Sequence, residues 1–282
     1  MDKKDTILLQ KLYSELDEKS IDQIRQRFAE SSIVVQEIFN REIIPPHLKD
    51  LDKDMVVLRI LSHSDIYNVL SLGIYNSFVT TDFSILNDSL FSYNRLRYYR
   101  DTLLGSGYDH CQYFLNVLES FAGNDMNLIK KIYTVDLGLA KNGNKFLVTG
   151  SNLIISLLNN NESWKDESLK KANQFLLYKN SKFDIATIQY LISIVHQDFE
   201  KVNEYLNEVC ALYKKATWLH EFDNPFLKVI GIYTHGLYNI AYHFLPQETF
   251  NKIIRPIHST FWLEFAQFNS TNNNKSGRRY IT

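Results

Sequence analysis

The chain has 282 residues, 45% of them hydrophobic, and a formal net charge of −1. A nearly neutral chain has no bulk field that would select nucleic acid or anionic lipid, so the composition argues against both as partners. The length allows a large core without disulfides or metals, and the two cysteines, Cys111 and Cys210, form no CxxC motif or disulfide framework, which favours a reducing compartment.

Long helices are expected along the chain, because only five prolines and ten glycines interrupt it and few segments alternate with period two. Pro45-Pro46 should stop the second helix, and Asn159-Asn160-Asn161 suits a left-handed turn. In chain order the predicted helices span 4–17, 20–40, 53–80, 84–104, 107–122, 125–141, 145–159, 165–178, 183–196, 199–217, 225–243 and 247–266. The sequence therefore predicts an all-α fold of about a dozen helices.

Three parts of the chain differ in composition. Residues 1–50 are rich in charge and predict an N-terminal helical hairpin packed on the main body, 51–268 predict a stack of helical hairpins, and 269–282 a polar, solvated tail. The first residues, MDKKDTILLQKL, lack the apolar core of a signal peptide. The most apolar stretch, 225–245, contains two histidines and an asparagine, so it should not span a membrane. We expect a cytoplasmic protein without membrane contact.

A helix–turn–helix pattern occurs twice, at residues 113–133 and 186–206. Apolar residues at steps of three and four give each helix one buried face, and an acidic turn separates the two helices. Such a unit buries its apolar stripe only by stacking on neighbours, as in TPR-like helical repeats. When Asp125 is placed on Asp198, the aligned apolar pairs are Leu115/Ile188, Leu118/Leu191, Phe121/Ile194, Ile129/Val202 and Ile132/Tyr205.

Motifs for cofactors and metals are incomplete. The Gly105–Gly107 segment begins like a dinucleotide loop but lacks its third glycine, and His220-Glu221 begins like a zinc-protease motif but has Asn224 at the second histidine position. His196 and Glu200 supply only two ligands, too few for a zinc site. The sequence therefore predicts no cofactor and no metal.

Candidate nucleophiles and nucleic-acid contacts are equally weak. His110 and Cys111 are neighbours, which on a helix directs their side chains about 100° apart, and Cys111 is expected to pack in the core. Residues 92–101, SYNRLRYYRD, interleave arginine with tyrosine, a pattern that can bind single-stranded nucleic acid. Helical spacing spreads these residues around the cylinder, so a solvated face with inward tyrosines is favoured. We therefore expect that the protein is not an enzyme and has no nucleic-acid partner.

A row of carboxylates is the sharper feature of the second unit. Glu200, Glu204 and Glu208 recur every four residues after the turn and form one stripe on the predicted helix. A solvated face and a surface built for a basic partner both explain such a row. The candidate partner-binding residues are Asp198, Glu200, Glu204, Glu208, Glu221 and Asp223.

The segment 225–250, PFLKVIGIYTHGLYNIAYHFLPQETF, joins a helix rich in small residues to Phe244-Leu245-Pro246. It resembles the C-terminal part of the immunity protein 49 family, in which an apolar helix also runs into a "YLP"-like ending. The turns at Gly123-Asn124-Asp125 and Gln197-Asp198 are similar to the "gD" turns of the same family. The resemblance covers residues from about 90 to 266.

This resemblance implies a mostly helical, non-catalytic antidote that neutralises a cognate bacterial toxin by tight binding, and it implies no active-site residues. We therefore expect an immunity protein whose partner is a basic toxin domain. The alternative is a TPR-like scaffold or regulatory protein that binds a peptide or protein in its concave face.

Overall fold

The computed structural model describes residues 3–16, 26, 66–104, 113–216 and 224–271. All regular structure in these residues is helical, so the predicted all-α fold is confirmed. Short 3₁₀ helices occur at Val135–Leu137, Tyr213–Lys215 and Pro225–Lys228. The α-helices are α1 (Lys3–Ser14), α2 (Ile66–Thr80), α3 (Phe83–Leu104), α4 (Phe114–Ala122), α5 (Met126–Ile132), α6 (Lys145–Asn159), α7 (Glu162–Leu176), α8 (Lys182–Val195), α9 (Phe199–Leu212), α10 (Ile232–Phe244), α11 (Gln247–Phe250) and α12 (Leu263–Thr271).

The chain divides into two compact units. The larger comprises Met1–Thr6 and Asp109–Lys275, and the smaller comprises Ile7–Tyr108 and Ser276–Thr282. The division falls inside the segment that the sequence predicts to be one stack of hairpins. Most of the predicted N-terminal hairpin and of the polar tail lies outside the described residues.

In the smaller unit, α2 and α3 form a helical hairpin with a short connection. The two helices approach closely where Gly73 faces Ser89, because a methyl group on Gly73 would overlap the serine side chain. The rings of Tyr13 and Tyr75 stack with centroids 3.6 Å apart, which packs the second half of α1 against α2.

In the larger unit, five helices contact one another in a closed ring, in the order α4, α6, α8, α9, α10 and back to α4. Helix α7 packs on α6 and α8, whereas α11 and α12 pack on α10. The hydroxyl of Tyr190 on α8 crosses the interior and donates to the carbonyl oxygen of Leu237 on α10, at 2.7 Å. Helix α4 is the most enclosed, since all of its residues except Leu115 are buried.

Close contact between α4 and α10 depends on Gly236. A methyl group at this position would overlap the backbone carbonyl of Leu118 on α4. On the other side of α4, Gly150 of α6 lies against the ring of Phe114 in the same way. Glycine at these two positions therefore allows α10 and α6 to pack closely on α4, α10 against its backbone and α6 against the ring of Phe114.

The two predicted helix–turn–helix units have the same backbone turn. Asn124 and Gln197 both adopt the left-handed conformation, with φ of 58° and 56°. The following amides, of Asp125 and Asp198, each donate back to a serine carbonyl five residues earlier, at 2.9 and 3.0 Å, which closes the preceding helix as a Schellman motif. Each aspartate side chain then caps the next helix by accepting from an amide three residues later. The predicted repeat is thus a repeat of turn geometry as well as of apolar spacing.

The two turns differ in their surroundings. The first is buried: Asn239 donates to the carbonyl of Phe121 at 2.8 Å, Asn269 donates to that of Ala122 at 2.9 Å, and His243 is hydrogen-bonded to Asn124. These side chains satisfy carbonyls that α4 leaves free at its buried end. The second turn, after α8, is exposed at its first two residues, 196 and 197. Asn269 was predicted to lie in a solvated tail; it is instead buried in the last turn of α12.

Three predicted helices are wrong in extent. The helix predicted at 247–266 is two helices, α11 and α12, separated by a non-helical stretch that includes Pro256, which cannot continue a helix. The one predicted at 225–243 begins as a 3₁₀ turn, and its α-helix starts only after Gly231. The one predicted at 125–141 ends at Ile132. The expected left-handed turn at Asn160 is confirmed, with φ of 46°.

We predict that Gly236→Ala destabilises the protein by about 2–4 kcal/mol, because the new methyl group must separate α4 from α10. Helix propensity alone would make alanine the more stable residue by about 1 kcal/mol, so the sign of the change is diagnostic. Urea unfolding followed by circular dichroism measures it. A variant as stable as the wild type would contradict this account of the α4–α10 contact.

Candidate partner-binding surface

The predicted carboxylate row lies on the exposed face of α9. Glu200, Glu204 and Glu208, which we call the acidic row, are all exposed, on the side opposite the buried Val202 and Leu206. Successive members are about 6 Å apart along the helix. Among the described residues, no ion pair joins the acidic row to a cation. The row therefore presents three carboxylates to solvent on a rigid element whose other face is fixed in the core.

Asp198, the first predicted partner-binding residue, has a structural role. Its carboxylate accepts from the amide of Lys201 at 3.2 Å and lies 3.5 Å from the ammonium of the same lysine. It is therefore the N-cap of α9, and its charge is partly compensated. The remaining two candidates, Glu221 and Asp223, lie outside the described residues.

A segment without regular structure, which follows α11, is fastened to α9 by one side chain. The side-chain oxygen of Asn203 accepts from the backbone N–H of Ile254 at 2.7 Å, and its side-chain nitrogen donates to the carbonyl of Lys252 at 3.3 Å. Asn203 lies on α9 between its buried stripe and Glu200, which is its neighbour one turn earlier. The segment is thus held at the edge of the acidic row.

We call residues 253–257 the isoleucine segment. Ile253 and Pro256 are buried in it, whereas Ile254 and Ile257 are 66% and 93% exposed. Sequence reasoning missed this surface because residues 247–266 were predicted to be one helix. Pro256, in the middle of that range, was the signal that would have revealed an extended segment.

In the arginine–tyrosine segment of α3, Arg95 does not lie on the solvated face that the sequence favours, whereas Tyr93 points inward as expected. Arg95 is buried, and its guanidinium lies 4.2 Å from the centroid of the Phe91 ring. Tyr93 is also buried, and its hydroxyl accepts from Arg97 at 3.2 Å. The guanidinium of Arg95 tolerates this position because it packs on an aromatic face. A side chain in this position does not belong to an exposed basic surface for nucleic acid.

His235 is buried at the centre of the contact between α10 and the chain before α12. Its ring stacks on Phe261, with centroids 4.3 Å apart, and its Nε2 accepts from the backbone amide of Trp262 at 3.1 Å. Burial lowers the pKa of His235 to about 3. Protonation would also place a second donor against that amide. His235 is therefore neutral near pH 7 and serves as a hydrogen-bond acceptor in the core.

Two further titratable groups of the larger unit, His243 and Cys210, are also part of the packing. Burial and, to a lesser extent, the charge of Lys130 lower the pKa of His243 to about 4. Burial raises the pKa of the Cys210 thiol to about 12, so it is not a thiolate at neutral pH. Cys210 is free, as expected, and it is buried, whereas Cys111, which was expected to pack in the core, lies outside the described residues.

Metal binding finds no support in the part of the chain that the structure describes. No group of three His, Cys, Asp or Glu side chains is arranged there to hold an ion. His196 and Glu200 are both exposed beside the second turn. Within the same residues, no helix is both long and apolar enough to cross a bilayer.

Comparisons of this chain with protein-family models, with curated proteins and with solved structures find no match. The resemblance to the immunity protein 49 family therefore stays a prediction from the sequence.

We predict that stability falls as the pH drops below about 6.5, the unfolded pKa of histidine. Because burial depresses the folded pKa of His235 to about 3, the unfolded chain binds this proton first. His235 should therefore contribute fully above pH 6.5, and about 2 kcal/mol of that stability should be lost at pH 5.

Urea unfolding of the wild type and of His235→Gln at pH 7.5 and pH 5 measures this difference, because glutamine can accept the hydrogen bond but does not titrate. The variant should lose less stability between the two pH values. His196→Gln, which alters an exposed ring, is the control. Equal losses in the wild type and His235→Gln would show that His235 is not the titrating group.

Two substitutions separate the cap of α9 from its charge. Asp198→Ala should destabilise the protein by about 1 kcal/mol, because the amide of Lys201 loses its acceptor. Asp198→Asn keeps a capping oxygen and should change stability by less than about 0.5 kcal/mol. Urea unfolding midpoints measure both. A similar loss in the two variants would mean that the charge of Asp198, and not its cap, stabilises this turn.

Proposed function

We propose that this chain is an immunity protein: a non-catalytic helical protein that binds and neutralises a cognate bacterial toxin domain of basic charge. The observation that supports this function best is the acidic row. Three exposed carboxylates follow one another on α9, no ion pair of the described residues joins them to a cation, and like charges at this spacing repel mildly. A basic partner relieves that repulsion and turns it into attraction.

The position of the acidic row suits binding. Helix α9 is fixed on one side by buried residues and at its start by the Asp198 cap, so the carboxylates need little ordering when a partner arrives. A row of like charges raises the association rate of an oppositely charged protein and excludes partners of the wrong sign. Toxins that attack nucleic acids are commonly basic, because they must bind phosphates.

Two buried titratable side chains, His235 and Cys210, are consistent with a binding role for the larger unit. His235 and Cys210 have pKa values near 3 and near 12, far from the values that suit acid–base or nucleophilic chemistry at neutral pH. Their hydrogen bonds and ring contacts are made inside the core. The resemblance of the 225–250 segment and of the two turns to immunity proteins is a second, independent support from the sequence.

We predict that the triple variant Glu200→Lys, Glu204→Lys, Glu208→Lys folds normally but associates about 10- to 100-fold more slowly with the toxin domain encoded beside this chain's gene. Biolayer interferometry at 50 mM and at 1 M salt measures the association rate. The difference from the wild type should shrink at high salt, where the screening length is about 3 Å. Protection of cells that express the toxin should fall in parallel.

The matched control changes the same number of charges on another helix of the same unit. Glu162, Asp166 and Glu167 of α7 are exposed acidic residues, and the ion pairs of Glu162 and Glu167 with lysines are too exposed to matter much for stability. Their triple lysine variant should bind like the wild type. If the neighbouring protein does not bind the wild-type chain at all, the proposed function is wrong and a peptide-binding scaffold becomes the better hypothesis.

A further inference from the structure

The isoleucine segment exposes apolar surface although it is anchored. Ile254 and Ile257 face solvent, while the residue before each of them, Ile253 and Pro256, is buried. Asn203 fixes the start of the segment to α9, through the N–H of Ile254 and the carbonyl of Lys252 just before the segment. Single exposed apolar residues are common on protein surfaces, but two large ones on one anchored stretch form a patch that a partner can cover without ordering a loop.

The cations next to this patch make contacts within the larger unit. The ammonium of Lys252 lies over the ring of Phe199, 5.4 Å from its centroid. The guanidinium of Arg255 donates to the hydroxyl of Tyr238 at 3.3 Å. No ion pair of the described residues joins either of them to the acidic row. Glu200 lies one helical turn before Asn203, whose side chain holds the backbone of Ile254, so the first carboxylate of the row lies near Ile254.

We infer that the acidic row and the exposed pair Ile254 and Ile257 form one docking surface, which takes a protein that presents basic side chains next to an apolar cleft. This inference rests on the proposed function and assigns the surface through which the toxin domain is held. The carboxylates select the class of partner, since they repel both the phosphates of nucleic acid and the headgroups of anionic lipid.

The two halves of the surface have different effects on binding kinetics. Charges act over several ångströms and govern how often partners meet, whereas apolar anchors act on contact and govern how long they stay together. Ile257 is the more exposed of the two and has more surface to lose. Covering an isoleucine side chain corresponds to an affinity gain of about 10- to 100-fold.

The test uses the full chain, the purified toxin domain encoded beside its gene, and the double variant Ile254→Ser, Ile257→Ser. Dissociation should become at least about 10-fold faster, while the association rate and its salt dependence should remain those of the wild type. Leu177→Ser, at an 85% exposed leucine just after α7, is the matched control and should bind like the wild type. Thermal unfolding of each variant checks that the fold is retained.

The possible results separate the two proposals. If the wild type binds and the folded isoleucine variant dissociates at the wild-type rate, the docking surface is wrong and the proposed function stands. If the wild type does not bind the neighbouring protein, both are wrong. Sedimentation of the chain alone tests whether a second copy of this chain covers the surface. A dimer that the isoleucine variant abolishes would assign the surface to that second copy and overturn the inference.

Discussion

The backbone approach of α10 to α4 is the constraint on which the larger unit depends. Gly236 brings the α10 backbone against the carbonyl of Leu118, and this short distance allows the side chains of Asn239 and His243 to reach the turn after α4. The carbonyls at the end of a buried helix must find donors inside the protein. A methyl group at Gly236 would therefore disturb the hydrogen bonds by which α10 satisfies the enclosed end of α4.

The same turn sequence serves two purposes in this chain. After α4, the left-handed residue is Asn124, whose side chain is hydrogen-bonded to His243 in the interior. After α8, the corresponding residue is Gln197, which is exposed, and the turn only redirects the chain. The first copy therefore joins several elements of the core, while the second leads into the helix that carries the acidic row. Local backbone geometry repeats, but the role of each copy is set by the helices around it.

The sequence predicted what depends on local spacing. The apolar period and the acidic turns are encoded by neighbours in the chain, and they identified both repeat units and the exposed face of α9. It did not predict what depends on distant partners: Asn203 holds a segment about 50 residues later, and Asn239 and Asn269 satisfy carbonyls at the end of α4. Pro256 is a local signal that the prediction did not use: a proline breaks a helix, so it already argued against one helix across residues 247–266.

The location of the acidic row and of Ile254 and Ile257 outside the packed core separates stability from specificity. Substitutions at exposed positions such as these typically change the free energy of unfolding by less than about 0.5 kcal/mol. The face can therefore be rewritten, in charge and in shape, on an unchanged helical frame. A protein built this way is able to follow a partner that diverges, and its recognition can be retargeted by evolution or by design without a new fold.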